Sequence, residues 1–372
     1  MRIIFWTFSH LPDLGGFQWS TFRLARALKE LGHEPLFLTG TTQASEFDSV
    51  VDAIRISAAN VPDWTMKSGR WLLENHHRFD VVHAIDLFYK AIGEQVGFLL
   101  DADLPAVIKI PTQGYVPRLI TDCELKHKFR LIDAIIALNN GIKTELLEIG
   151  VKPERIYAIP NGIDSREFIP ASDKTAAKKL LAFPRHKITV LYAGRFVQRK
   201  RIDVLLEAAK SLPKTVQLVL VGSGFEMRDS VERELIQLAS RIPNARIVKA
   251  IPNILAYYQA SDINVLLSER EGQSNSILEG MACGLPTIAT DIPGISETVH
   301  AEVEGILVKV GDIEGTEKAL LRLILSQDLR IKMGDAGRNR ILREFDIRII
   351  AQRYENLYRE IITKNKEGGR VR

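Results

Sequence analysis

Short apolar runs rich in β-branched residues alternate with amphipathic stretches along almost the whole chain. The amphipathic stretches repeat apolar residues at helical spacing, as at residues 21–31, 202–212 and 227–241. The apolar runs are predicted to be strands at residues 3–8, 81–85, 106–110, 134–138, 188–194, 216–222, 245–249, 263–267, 287–290 and 305–308. Strands that are apolar throughout and separated by helices are typical of parallel sheets covered on both faces. The pattern therefore predicts an α/β fold.

The pattern restarts near the middle of the chain. Turn residues at 158–164 and a Lys-rich stretch at 172–179 precede a new series of strands and helices that begins at Ile188. This restart predicts two doubly wound domains, residues 1–170 and 171–345, which would face each other across a cleft. Ligands of such sheets bind beyond the carboxyl ends of the strands, so functional residues are expected there.

Residues 346–372 are predicted to form a C-terminal helix followed by a frayed tail. Tyr354, Leu357 and Tyr358 fall on one face of that helix, and we expect it to cross back to the N-terminal domain. The last ten residues are charged and Gly-rich, which favours a frayed end.

Composition narrows the class of protein. The 372 residues carry a net charge of only +4, which does not favour a nucleic-acid binder. Cys123 and Cys283 form neither a disulfide framework nor a metal-ligand spacing. No apolar run approaches the ~20 residues of a membrane span. We expect a cytoplasmic protein, and contact with the inner face of a membrane stays open.

The strongest chemical signal is a pair of carboxylates eight positions apart. Glu271 precedes and Glu279 follows the start of a predicted helix, and the loop between them contains Gly272, Gln273, Ser274 and Asn275. Backbone N–H groups at a helix N-terminus favour an anion, and a carboxylate can accept hydrogen bonds from a sugar diol. Ser276 and Glu279 also fit a capping box, which would give Glu279 a purely structural role.

A basic loop follows the predicted strand at 188–194. Arg195 and Lys200 lie just before a helix start, where cations oppose the macrodipole unless an anion is bound. Arg offers a planar fork for phosphate oxygens and Lys offers a point charge. A solvated basic turn is the alternative.

Glycines at strand ends offer further places where a backbone can approach a phosphate. Gly15 and Gly16 follow the first strand, Gly194 ends the strand before the basic loop, and Gly222 and Gly224 follow another strand. Simple turns are the alternative. The third glycine of a dinucleotide fingerprint is missing after Gly224, which counts against a nicotinamide oxidoreductase.

Candidates for binding a second substrate lie in the first half of the chain. His83 and Asp86 end one predicted strand, and Lys109, Thr112 and Gln113 end the next. A buried, structural histidine is the alternative for His83, because it lies within an apolar run.

The chain resembles glycosyltransferase family 4, which has the GT-B architecture of two Rossmann-like, doubly wound, parallel-sheet domains facing across a cleft. The resemblance rests on Glu271 and Glu279, on the segment 280–290 after them, on the basic loop and on the turn at 160–164. It implies that Glu279 binds the nucleotide ribose and Glu271 a hydroxyl of the donor sugar. Arg195 and Lys200 would then bind the diphosphate.

The resemblance also implies a wider donor site. It assigns donor contacts to Gly15, Gly16, Gly194, Gly222, Gly224, Ile251, Gly272, Gln273, Ser274 and Asn275. On the acceptor side the family often has a histidine where this chain has Gln113.

The activity implied is transfer of a sugar, with retention of configuration, from a nucleotide diphosphate sugar to a glycan, a lipid or a small molecule. No metal and no other cofactor is expected, because Arg195 and Lys200 would carry the leaving charge. A non-catalytic sugar-nucleotide-binding protein and a sugar-nucleotide epimerase stay open as alternatives. The sequence leaves the donor sugar, its base, the acceptor and the oligomeric state open.

Overall fold

The computed structural model of the protein describes residues 1–12, 15–85, 87–120, 122–223, 230–251 and 253–368. The chain divides into two compact units. The N-terminal unit comprises Met1–Gly162 and Ile347–Arg372, and the C-terminal unit comprises Ile163–Asp346. No helix in the described ranges combines the length and the apolar character that a bilayer crossing requires.

The N-terminal unit is built on a parallel sheet of seven strands in the order β3-β2-β1-β4-β5-β6-β7. The strands are β1 (Arg2–Thr7), β2 (Glu34–Thr39), β3 (Ala53–Arg55), β4 (Val81–Ala84), β5 (Ala106–Ile110), β6 (Ala134–Ala137) and β7 (Ile156–Ala158). The order reverses between β1 and β4, as in a Rossmann sheet.

Helices cover both faces of this sheet and create two apolar cores. They are α1 (Gly16–Glu30), α2 (Val61–Asn75), α3 (Ile92–Asp101), α4 (Val116–Leu119), α5 (Cys123–Arg130), α6 (Asn140–Glu148) and the long C-terminal α15 (Ile347–Gly368). α1 and α15 share one core, where Tyr354, Leu357 and Tyr358 of α15 are all buried.

The C-terminal unit contains a second parallel sheet, of six strands in the order β10-β9-β8-β11-β12-β13. The strands are β8 (Ile188–Ala193), β9 (Val216–Val221), β10 (Ala245–Val248), β11 (Ile263–Leu266), β12 (Thr287–Thr290) and β13 (Gly305–Val308). The strand order again reverses once, between β8 and β11.

The helices of the C-terminal unit pack on this sheet around one extended core. They are α7 (Lys174–Leu180), α8 (Ile202–Ala209), α9 (Ser230–Ala239), α10 (Leu255–Gln259), α11 (Asn275–Ala282), α12 (Pro293–Ser296), α13 (Ile313–Leu325) and α14 (Gln327–Arg340). Asp312 and Ser326 cap the N-termini of α13 and α14 through their side chains, which explains why these helices begin where they do.

The predicted α/β class with two doubly wound parallel sheets is confirmed. Every predicted strand is present, with ends that differ by at most one residue. β2, β3 and β7 were not predicted. β3 and β7 contain three residues each and lie at the edges of their sheet, so they are too short to show a hydrophobic pattern.

Candidate active site

The candidate site lies where the strand order of the C-terminal sheet reverses. β8 has β9 on one side and β11 on the other. Ligands of doubly wound sheets bind beyond the carboxyl ends of the strands at such a switch point. Residues 194–201 follow β8 and residues 267–274 follow β11, and these two loops carry the charged residues that the sequence singled out.

A buried ion pair joins the two loops. Lys200 ends a 3-10 turn after β8, and its Nζ lies 2.5 Å from Oε1 of Glu271. Nη1 of Arg199 lies 3.7 Å from the same oxygen. The backbones are also tied, because the N–H of Glu269 donates to the carbonyl of Arg199 at 2.9 Å. The candidate catalytic residues Lys200 and Glu271 are therefore brought together.

Burial and the neighbouring charges shift the pKa values of this pair in opposite directions. Burial would raise the pKa of Glu271, but the charges of Lys200 and Arg199 outweigh it and hold that pKa below its usual range. Burial lowers the pKa of Lys200, and the nearby Glu271 limits the fall. Glu271 is therefore ionised at neutral pH, within reach of two cationic side chains.

Arg195 lies at the rim of the same site. It follows β8 directly and its side chain is exposed, whereas Lys200 is buried. The hydroxyl of the fully buried Tyr192 donates to the carbonyl oxygen of Arg195 at 2.8 Å. The backbone of this exposed residue is thus held in place, which suits a residue that meets an anionic ligand.

Two strand-end glycines lie against each other beside the basic loop. A Cβ on Gly222 would lie 1.8 Å from the carbonyl oxygen of Gly194. Only glycine fits this position unless the backbone moves. Ile251 is half-buried and packs against the core of this unit. Gly224, the other glycine predicted here, lies outside the described residues.

The loop between the two carboxylates is buried and leads straight into α11. Gly272, Gln273 and Ser274 are buried, and the half-buried Asn275 is the first residue of the helix. Nε2 of Gln273 donates to Oγ1 of Thr298 at 3.2 Å, which holds the loop against the turn that follows α12. The eight-residue helix α11 thus begins four positions after Glu271 of the ion pair.

Glu279 does not take part in a capping box. The N-cap of α11 is Ser274, which makes no side-chain cap, and Glu279 lies one turn into the helix. Its Oε2 accepts a 3.0 Å hydrogen bond from the hydroxyl of Tyr258, which comes from α10. The structural alternative that the sequence left open for Glu279 is therefore wrong, and a different partner holds its carboxylate.

Gly15 and Gly16 stand at the start of α1 in the N-terminal unit. Gly15 is the N-cap and makes no side-chain cap, and Gly16 is the first helical residue. A Cβ on Gly15 would lie 2.1 Å from Oε1 of Gln18, so the side chain of Gln18 folds back over this glycine. The N-terminus of α1 thus follows β1, which is the strand at which the order of this sheet reverses.

His83 is a core residue of the N-terminal unit. Its side chain has no exposed surface, and its Nδ1 lies 2.7 Å from the hydroxyl of Tyr358 on α15. Burial and the charge of Lys109 hold the pKa of His83 well below its usual value, so the ring is neutral. The structure therefore favours the structural alternative for His83. Asp86 lies outside the described residues.

Lys109 is a buried cation at the end of β5. Its side chain is 6% exposed, and its Nζ donates to Oδ1 of Asn161 at 2.6 Å. Burial lowers its pKa to about 8. Oγ1 of Thr112 is buried without a hydrogen-bond partner among the described residues. The side chain of Gln113 packs over Gly141 on α6, where an added Cβ would lie 2.6 Å from its Cδ.

Sequence reasoning missed three residues that build the site. Tyr192 supports Arg195, Arg199 adds a second cation beside Glu271, and Tyr258 holds Glu279. Arg199 belongs to the basic loop and could have been singled out from its charge. The two tyrosines look like ordinary core residues in the sequence, because only the fold shows where their hydroxyls point.

Comparisons with known proteins agree with this architecture. The family described as Glycosyl transferases group 1 matches residues 173–340, and Glycosyltransferase Family 4 matches residues 14–167. Together the two matches take in most of the chain.

Two curated relatives carry names of sugar-transferring enzymes. N-acetyl-alpha-D-glucosaminyl L-malate synthase of Bacillus anthracis is 25% identical, over 96% of this chain and 97% of that protein. UDP-Gal:alpha-D-GlcNAc-diphosphoundecaprenol alpha-1,3-galactosyltransferase of Escherichia coli is 33% identical, over 61% of this chain and 60% of that protein.

A solved structure shares the whole fold. Anabaena Alr3699/HepE in complex with UDP aligns with a TM-score of 0.81 and 18% identity, over 97% of this chain and all of that one. The same protein has also been crystallised with UDP-glucose. The family matches, the parallel sheets and these relatives lead to one conclusion: the chain belongs to glycosyltransferase family 4, has the GT-B fold and is a glycosyltransferase.

Proposed function

We propose that the C-terminal unit binds a nucleotide diphosphate sugar at its switch point and that the enzyme transfers the sugar with retention of configuration. The observation that carries this proposal is the buried pair of Lys200 and Glu271 beside the N-terminus of α11, with Glu279 one turn further along. This arrangement offers cations, a helix N-terminus and two carboxylates within one short stretch of sheet edge.

The cations suit the diphosphate of the donor. Lys200 and Arg199 surround one carboxylate, and Arg195 is exposed at the strand end. A bound diphosphate would give these side chains a second anion and would also face the positive end of the α11 dipole. As the sugar leaves, negative charge grows on the nucleoside diphosphate, and preorganised cations stabilise that charge.

The carboxylates suit hydroxyl groups. An ionised carboxylate accepts hydrogen bonds and donates none, so it matches the diol of a ribose or the hydroxyls of a hexose. We assign the ribose to Glu279 and a hydroxyl of the transferred sugar to Glu271. The backbone of residues 272–275 would face the sugar and the phosphates.

The names of similar proteins support this donor class. HepE has been crystallised with UDP and with UDP-glucose, and the Escherichia coli relative is named for UDP-Gal. All three ligands contain a nucleoside diphosphate, and UDP-glucose and UDP-Gal join it to a sugar, which is the donor class we propose.

We propose front-side displacement for the transfer step. The bond between C1 of the sugar and the β-phosphate oxygen breaks while the acceptor oxygen bonds to C1 from the same side. The acceptor proton passes to the departing phosphate, so nucleoside diphosphate is released and the configuration at C1 is kept. In this step Arg195 and Lys200 hold the leaving group, and the proposal assigns no role to a metal ion.

The N-terminal unit is proposed to bind the acceptor, which is a glycan, a lipid-linked sugar or a small molecule. Lys109, Thr112 and Gln113 follow one another at the carboxyl end of β5, where ligands of such a sheet bind. His83 is left out of this set because its ring is buried against Tyr358.

Calorimetric titration with UDP-, GDP- and ADP-sugars, together with an assay for released nucleotide, tests the function. We expect one nucleotide class to bind and to be released when an acceptor mixture is added. Binding without release in any acceptor mixture would identify a non-catalytic binding protein. Conversion of the donor sugar without an acceptor, seen by NMR, would identify an epimerase.

A further inference from the structure

A buried tyrosine holds the carboxylate that we assign to the ribose. The hydroxyl of Tyr258 lies 3.0 Å from Oε2 of Glu279 and 3.3 Å from the backbone carbonyl of Ser276. The carbonyl of Ser276 already accepts a 3.1 Å hydrogen bond from Nδ2 of Asn264. The single proton of the tyrosine hydroxyl therefore goes to the nearer and charged acceptor, which is Glu279.

The tyrosine itself has little freedom to move. Tyr258 has no exposed surface, and its ring meets Phe168 edge-on, with the ring centroids 6.1 Å apart. It belongs to α10, a short helix that leads into β11. Glu279 belongs to α11, after the same strand. The hydrogen bond thus connects the helices on either side of β11.

We propose that Tyr258 is a positioning residue that makes the enzyme select nucleotides with ribose hydroxyls over nucleotides that lack them. It does so by holding the Glu279 carboxylate in the orientation that accepts the ribose hydroxyls. The inference rests on the proposed function, because it needs Glu279 to be the ribose ligand.

The physical reason is preorganisation. A free glutamate side chain samples several rotamers, and fixing one of them on binding weakens the ligand's affinity. A hydrogen bond made before the ligand arrives removes part of that loss. A site built to hydrogen-bond a hydroxyl also rejects an analogue without it, because the buried acceptor is then left unpaired.

The chain offers a matched control beside Tyr258. Tyr257 belongs to the same helix and is also buried, but its ring packs edge-on against Phe183. Removing the hydroxyl of Tyr257 makes the same chemical change one position away. It leaves the bond to Glu279 intact.

Calorimetry on four proteins tests the inference: the natural protein, Tyr258→Phe, Tyr257→Phe and Glu279→Gln. The ligands are whichever of UDP, GDP and ADP binds most tightly and its 2′,3′-dideoxy counterpart. We expect the natural protein and Tyr257→Phe to prefer the ribonucleotide by roughly tenfold or more. Tyr258→Phe is expected to narrow that ratio to about threefold or less, with the affinity for the dideoxy ligand unchanged.

The dideoxy ligand also reports on folding, because it contacts the diphosphate and base sites alone. An unchanged ratio in Tyr258→Phe, with a narrowed ratio in Glu279→Gln, would overturn the role of Tyr258 and leave the proposed function standing. An unchanged ratio in Glu279→Gln would overturn the ribose assignment itself. Equal losses for both ligands in Tyr258→Phe would show a merely structural role and would also overturn the inference.

Discussion

The Nζ atom of Lys200 lies 2.5 Å from Oε1 of Glu271, although 71 positions separate the two residues in the chain. Each side chain of the pair is about nine-tenths buried, and the contact links the loops that follow β8 and β11. A buried pair of this kind is costly to break, because each partner alone would be an uncompensated charge.

Loss of donor-site charges should slow transfer. Lys200→Ala and Glu279→Ala are each expected to lower the transfer rate at least roughly tenfold, which is about 1.4 kcal/mol in the barrier. The measurement is nucleotide release at a donor concentration well below KM, where weaker donor binding and weaker leaving-group stabilisation both lower the rate. Lys210→Ala, which removes an exposed lysine paired with Glu207, is the control and should keep the full rate. Full activity of both site variants, with unchanged folding, would show that the donor site lies elsewhere.

The Lys200 and Glu271 pair should show strong coupling in stability. Lys200→Met and Glu271→Gln each leave one charge buried and should destabilise the protein by about 3–5 kcal/mol. The double variant should lose much less than the sum, because neither charge remains. Urea unfolding of all four proteins gives the coupling energy. Strict additivity would mean that the two side chains do not interact in solution.

Lys109 should make the stability depend on pH in a defined direction. Its pKa is lowered by burial from 10.5 to about 8, so below pH 8 the folded state bears a buried charge that destabilises it by about 3 kcal/mol. This penalty disappears as the pH rises from 8 to 10.5, because the unfolded chain then binds the extra proton.

Lys109→Met should therefore be more stable than the natural protein at pH 7, by about 2 kcal/mol after the loss of one hydrogen bond to Asn161. That advantage should shrink between pH 8 and pH 10. Urea unfolding at pH 8 and at pH 10 measures the difference in stability between the two proteins. Lys210→Met is the exposed control. A difference that does not change with pH would contradict the assignment.

Gly222 should tolerate no side chain. Its added Cβ would lie 1.8 Å from the Gly194 carbonyl, so Gly222→Ala must displace the backbone beside Arg195 and should destabilise the protein by about 1–3 kcal/mol. Gly97→Ala is the matched control, because a Cβ in that helix meets nothing within 4 Å. It should be neutral or stabilise by up to about 1 kcal/mol. Thermal unfolding measures the stability of both variants. Equal stability of Gly222→Ala and Gly97→Ala would contradict the close contact at Gly222.

Transfer should not need a divalent ion if Arg195 and Lys200 carry the leaving charge. Treatment with EDTA is expected to leave the transfer rate unchanged, and added Mg²⁺ should not raise it. Dialysis against EDTA followed by the nucleotide-release assay measures this. Loss of activity that Mg²⁺ restores would show that the cationic side chains are not sufficient.

Much of the fold could be predicted because its strands are nearly all apolar. β8, for example, is buried almost throughout, and no alternation of polar residues obscures its run. β2 was missed although it is long enough, since Glu34 and Pro35 open it and resemble a loop. Short edge strands such as β3 carry too few residues for any pattern.

The candidate site was only partly predictable, for a related reason. Charged residues next to apolar strands and helix starts stand out in a sequence, and this is how the four charged candidates were found: Arg195, Lys200, Glu271 and Glu279. Tyr258 does not stand out in the sequence, because a tyrosine in a short helix is commonly a buried core residue. His83 was ambiguous for the same reason, and only its burial against Tyr358 separated a core residue from a ligand.

By itself the sequence determined the alternation of strands and helices, the family resemblance and the residue types available for binding. These follow from local hydrophobic spacing and from charge, which can be read along the chain. The tertiary structure alone decided that Lys200 meets Glu271 and that Tyr258, rather than a capping box, holds Glu279. Such contacts depend on the order of strands in the sheet and on the exclusion of water, and both arise only when distant segments pack together.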